Sequence, residues 1–234
     1  MADAVRFLCE PTLEDKLLQP EPAGRFAPDW FRKMSRTMEM PMADGLPGLT
    51  VKACLPVTDA FSAGWIIPLS SDLHVEAHGD GSVSTSDDGT LGFQPVTAHH
   101  PGQVGAPGPP FGGRVLPLKW MNPWRIAAPG GVSLMYTQPF NHFELPFLNF
   151  TGVVDADRFA AKVNVPFVWT GGQGRFTLPK GLPIIQILPL SRDALTLEVQ
   201  VRAATPGEAV EEANHTREKH TIESAYARKY RVAK

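Results

Sequence analysis

The chain has 234 residues, a formal net charge of −2 and a pI near 6.4. Hydrophobic residues make up 43% and charged residues 20%, ordinary values for a globular chain long enough to bury a core. No basic excess exists to neutralise phosphates, and no apolar run reaches bilayer length, so nucleic acid and membrane are not expected partners.

Glycine (21) and proline (23) together approach a fifth of the chain. Both break helices and favour turns, which predicts many short strands. Cys9 and Cys54 have a spacing that fits no zinc or redox motif, so two free thiols are expected. The N-terminus has no basic region followed by an apolar run, and a cytoplasmic location is the expectation.

Residues 4–9 read as a first strand. An arm holding Pro11, Pro20, Pro22 and Pro28 follows. Pro28-Asp29-Trp30-Phe31 starts a short helix whose aromatic pair anchors the arm. Leu49–Leu55 and Trp65–Leu69 read as strand-like, with a turn at Thr58-Asp59-Ala60 between them. Across 72–78, Leu73, Val75 and Ala77 alternate with His74, Glu76 and His78, which predicts a strand with one buried face. Gly79-Asp80-Gly81 is a hairpin turn. Residues 101–113 hold four prolines and five glycines and predict a long surface loop.

Strands are predicted at Val115–Leu118, Arg125–Ala127, Val132–Thr137, Phe147–Val154, Phe167–Thr170, Arg175–Leu178, Ile184–Leu188 and Leu195–Ala203. The last shows the clearest alternation: Leu195, Leu197, Val199 and Val201 against Thr196, Glu198, Gln200 and Arg202. Thr205-Pro206-Gly207-Glu208 is a capping box, and acidic residues early with basic residues late complement a helix dipole. Ile222, Tyr226 and Tyr230 form a stripe able to dock on a sheet.

The expected fold is mostly β: a jelly-roll or cupin-like β-sandwich forming one domain over 1–234. It comprises an extended N-terminal arm (1–48), a β core (49–204) and a C-terminal helix (205–231). Gly174 and, four residues on, Pro179-Lys180-Gly181 resemble the second motif of cupin-type jelly rolls. The metal-ligand position of that motif is Ile184 here and its Asn position is Leu188, so the resemblance implies the turn without its metal. Trp120-Met-Asn-Pro-Trp124-Arg125, Gln138-Pro-Phe-Asn141, Gly152-Val-Val-Asp155-Ala-Asp157-Arg158-Phe159 and Pro179-x-Gly181-x-Pro183-Ile-x-Gln186 are similar to an uncharacterised family of bacterial and phage proteins. That likeness covers roughly residues 50–193 and implies no activity.

Three groups of residues are candidates for chemistry. His74, Glu76 and His78 project from one face of a strand and could hold one divalent metal, Fe, Mn or Zn, with His99, His100 or His142 as a further arm. The competing reading is the wet face of an antiparallel sheet. Asn141-His142-x-Glu144 lies among Phe140, Phe143 and Phe147; the histidine could act as a general base oriented by Glu144. The competing reading is a polar loop capping the core. Trp120, Asn122, Trp124 and Arg125 could stack on a ring and grip a carboxylate. The alternative is core anchoring, with Arg125 paired to Asp155 or Asp157.

Asp155-x-Asp157 reads as turn chemistry, with Asp157 capping a short helix at 158–162. No phosphate-cradling loop and no Gly-x-Ser-x-Gly elbow occurs. Two functions follow as expectations. One is a small-molecule enzyme of oxygenase or isomerase type, with or without a non-haem metal. The alternative is a non-catalytic binding or assembly module using the arm and sheet edge, with homo-oligomers as one outcome.

Overall fold

The computed structural model describes residues 4–41, 47–104, 117–221 and 225–232. Its strands, in chain order, are β1 (Arg6–Leu8), β2 (Glu21–Pro22), β3 (Thr37–Pro41), β4 (Pro47–Leu49), β5 (Trp65–Pro68), β6 (Leu73–Ala77), β7 (Val83–Ser86) and β8 (Val96–Ala98). They continue as β9 (Leu118–Trp120), β10 (Arg125–Ala127), β11 (Val132–Thr137), β12 (Phe147–Asn149), β13 (Gly152–Val154), β14 (Val165–Trp169), β15 (Gly174–Leu178) and β16 (Pro183–Ser191). The helices are α1 (Asp29–Lys33), α2 (Leu55–Ser62), α3 (Arg192–Leu195) and α4 (Pro206–Thr221). The chain is therefore mostly β, and its strand pairings among the described residues are antiparallel.

The chain divides into two compact units, one of residues 1–34 and 60–195, the other of 35–59 and 196–234.

In the first unit, strands run in the order β13-β11-β16-β5-β2 in one sheet, β12-β14-β9-β8 in a second and β15-β6-β7 in a third, with β1-β10 as a pair. Their inward residues meet in one apolar cluster that includes Ile67, Val75, Trp120, Leu134, Phe147, Phe167 and Ile185. β16 is the central strand of the first sheet, and Ile184, Ile185, Gln186 and Ile187 are all buried. A strand covered on both faces reads as a continuous apolar run rather than an alternation. Its prolines sit where it has one neighbour: Pro183 pairs only with β5 and Pro189 only with β11. Gly64 (φ 68°) lets the backbone approach β16, because a Cβ there would overlap the Ile187 carbonyl oxygen.

Strand β6 matches its predicted alternation, with Leu73, Val75 and Ala77 buried. The stretch 147–154 departs from the single predicted strand. It breaks at Phe150-Thr151, so β12 joins the four-stranded sheet and β13 the five-stranded one. The corner is held by the buried Asn149 amide, which donates to the Ile184 carbonyl at 2.7 Å and accepts from the Trp120 indole at 2.9 Å. Gln186 is a second buried amide: it accepts from the Phe140 N–H at 2.7 Å and donates to the Ala63 carbonyl at 2.7 Å. Trp30 and Phe31 meet Phe61 at ring separations of 6.1 and 4.4 Å, which anchors α1 within this unit.

Two predicted strands are corrected. Across 49–62 the chain makes a short turn capped by Thr50 and then α2, whose first turn carries Pro56. Proline at a helix start loses no hydrogen bond, so Thr58-Asp59-Ala60 lie inside a helix, not in a turn. Leu195–Ala203 forms no strand: α3 ends at Leu195 and residues 196–204 are exposed and belong to no sheet.

The second unit holds the antiparallel pair β3-β4 and α4. The capping box forms as expected, with the Glu208 N–H donating to Thr205 Oγ1 at 3.3 Å and the Thr205 N–H donating to Glu208 at 2.7 Å. After α4 the chain returns through a wide helical turn at Tyr226–Tyr230, where Lys229 and Tyr230 both donate to Glu218. Arg231 pairs with Asp59 at 2.6 Å. Tyr226 and Tyr230 are exposed rather than docked; Ile222 lies outside the described residues. So does most of the 101–113 loop, of which residues 101–104 form a short helical turn.

Candidate functional site

The polar side of the three-stranded sheet is the first place where the sequence candidates gather. β6 lies between β15 and β7, so His74 stands beside Thr177 and Ser86, and Glu76 beside Arg175 and Ser84. These six side chains line an open depression of about 520 Å³. Each stripe residue already has a cross-strand partner. His74 Nδ1 is 3.1 Å from Thr177 Oγ1, Arg175 Nε donates to Glu76 at 3.1 Å, and His78 Nε2 is 3.5 Å from Ser84 Oγ.

A metal would need convergent ligands. Among the described residues no group of three or more His, Cys, Asp or Glu is placed to hold one. The stripe is a ladder of hydrogen-bonded and ion-paired contacts across the sheet. The sequence showed His74, Glu76 and His78 but not Arg175, Thr177, Ser84 and Ser86, because only strand pairing brings those segments together.

His142 and Glu144 do meet, with Nδ1 2.9 Å from Oε1. Asn141 enters that turn at φ 59°, the one non-glycine among the described residues with a positive φ. Asparagine tolerates the left-handed region better than most residues. The imidazole is buried at 5% exposure, while the carboxylate is 48% exposed. The ring edge faces Phe61 at 6.2 Å. The buried partner of this pair is thus the base and the open one the carboxylate, the reverse of what proton abstraction from a bound substrate asks.

The tryptophan segment is packed into the first unit. Trp120 is 1% exposed, stacks on Phe167 at 4.2 Å and leaves no open face for a ligand ring. Asn122 is buried and closes the turn: it accepts from the Trp124 N–H at 3.0 Å and donates to the Trp124 and Val163 carbonyls, each at 3.1 Å. Trp124 is buried against Phe7. These three residues, expected to grip a substrate, anchor the core instead.

Arg125 lies on β10 opposite Leu8. The carboxylates expected to pair with it are taken by Arg192, which forks onto Asp157 at 2.7 and 2.5 Å and reaches Asp155 at 3.5 Å. The Arg192 guanidinium holds the Asp157 carboxyl well below the usual carboxylate range. Asp157 also accepts from the Gly131 N–H, and the expected helix at 158–162 does not form: a turn covers 156–158. Arg192 was not singled out from sequence; it lies 35 residues from Asp157, and nothing local signals the pair.

The second place is residues 196–204. Leu197, Val199 and Val201 are 75%, 86% and 93% exposed. Among the described residues, 197–204 make no backbone-to-backbone hydrogen bond. Arg202 reaches forward to Glu208 at 2.7 and 2.6 Å, which fixes the end of this segment to the first turn of α4. Its sequence alternates as an amphipathic strand would, and such a pattern without a paired strand beside it is a template for main-chain pairing.

Compared with known proteins, the chain matches no family model and no curated protein. Among the described residues no helix is long and apolar enough to cross a membrane.

Proposed function

We propose that the chain is a binding and assembly module whose second unit is completed by a protein partner. One observation carries this reading. Among the described residues of that unit only Gly48, Asp59 and Ala225 are buried, whereas Met40, Leu49, Leu197, Val199, Val201 and Val210 are each at least 61% exposed. A segment that buries almost no apolar surface has little to set against the conformational entropy of ordering it. A polar helix such as α4, 16 residues long, is marginal in water without tertiary packing. Both costs are met if a partner covers the exposed side chains.

A jelly-roll-like sandwich is the scaffold that goes with this reading. Antiparallel pairing and the five- and four-stranded sheets around one core support it. An enzymatic role for the histidines has less behind it. Its best support is the polar depression on β6, whose side chains are satisfied by one another.

The test is hydrogen exchange on the full chain, followed by mass spectrometry, first as a dilute monomer and then in its assembled state. In the monomer, amides of 196–221 are expected to exchange within seconds, while β11 and β16 exchange only on global opening. Assembly then protects 196–221. Protection of that stretch in a demonstrated monomer would overturn the proposal.

A further inference from the structure

Resting on the assembly reading, we infer that the partner is a second copy of this chain, paired antiparallel through residues 196–204 about a two-fold axis at Gln200. In an antiparallel pair, directly opposed residues share a face. The segment's apolar residues Leu197, Val199 and Val201 alternate with Thr196, Glu198, Gln200 and Arg202. Keeping the apolar side chains together therefore requires the axis to pass through a residue, not between two.

Charge then chooses the residue. An axis at Gln200 sets Val199 against Val201, Leu197 against Ala203, and Glu198 of one copy against Arg202 of the other. Symmetry makes two such ion pairs per dimer. An axis at Val199 or Val201 loses both pairs. At Glu198 it brings two carboxylates face to face, and at Arg202 two guanidiniums.

The local structure is ready for this register. Arg202 uses Nη1 and Nη2 on Glu208 and the Ala203 carbonyl, which holds the side chain in place and leaves Nε for a carboxylate opposite. Among the described residues, 197–204 make no backbone-to-backbone hydrogen bond, and the Ala203 carbonyl accepts from Arg202. One short strand per copy is a small interface, so a dimer with Kd on the order of micromolar is expected.

The experiment uses the full chain with Cys9 and Cys54 replaced by serine, so that only an introduced thiol can oxidise. Gln200→Cys is expected to form a disulfide dimer under mild oxidation. Val199→Cys and Val201→Cys are expected to cross-link when mixed and not when alone. In sedimentation velocity, Glu198→Arg weakens the dimer about tenfold, and adding Arg202→Glu restores it at least in part.

A chain that stays monomeric with 196–204 unprotected overturns the second copy as occupant and leaves the assembly reading with a different protein partner. A monomer in which 196–204 is protected overturns both. A dimer that links through Val199→Cys alone overturns the register.

Discussion

At the scale of single residues, the two buried amides decide more than any of the candidate catalytic groups. Asn149 satisfies the Trp120 indole and the Ile184 carbonyl at the corner where the chain changes sheets. Asn149→Ala leaves both buried groups without a partner. Each such loss costs roughly 1–3 kcal/mol, so a loss of about 3 kcal/mol in urea unfolding is expected. A loss under about 1 kcal/mol would mean that water or a rearranged neighbour takes the place of the amide. In the sequence Phe-Leu-Asn-Phe, Asn149 looks like the outward position of a strand, and nothing nearby shows the carbonyl it serves 35 residues away. His142 is the opposite case. Its short-range pairing with Glu144 was legible, because a single residue separates them; which of the two is buried was not.

At the scale of elements, capping is a local matter and was readable. Thr205 and Glu208 form the box that the spacing predicts. Thr205→Ala is expected to cost α4 about 1 kcal/mol, seen as faster exchange at the Ala209 amide. The same box gives a pH dependence. The Arg202 guanidinium, with help from Thr205, pulls the Glu208 carboxyl from an ordinary 4.5 down to about 2. A carboxylate lowered in the folded state stabilises it fully above its unfolded value and loses that contribution as pH falls through the folded one. The Thr205 amide signal in NMR is therefore expected to hold steady from pH 8 to about 4 and to move with a midpoint near 2. A midpoint near 4.5 would show that the box is open in solution.

Helix α2 was not readable. Leu55-Pro-Val-Thr-Asp carries β-branched residues and a proline that suit a strand or turn as well as a first helical turn.

At the scale of the molecule, the two units differ in how they are held. All residues of the large apolar cluster lie in the first unit, Trp120 and Trp124 among them. A chain ending at residue 195 is expected to keep a cooperative unfolding transition and the near-ultraviolet signal of those tryptophans. Loss of that signal would mean that the core needs the C-terminal segment. The second unit exposes most of what it contains, which is why its proposed role is to meet a partner.

Composition and periodicity by themselves determined that the chain is β-rich, where β6, β10 and β11 run, and how α4 begins. These depend on residues within one turn or one strand of each other. Tertiary structure alone decided the rest. The alternation at 195–203 is as regular as that of β6, yet β6 has β15 and β7 beside it, whereas among the described residues no strand pairs with 197–204. Period-two patterning specifies that a strand has two different faces. It does not say whether the chain folds another strand against it, since that depends on segments far away in sequence or on a second molecule. The same reason separates Trp120, which looked like a ligand platform, from the core residue it is: burial is a property of what surrounds a side chain, not of the side chain.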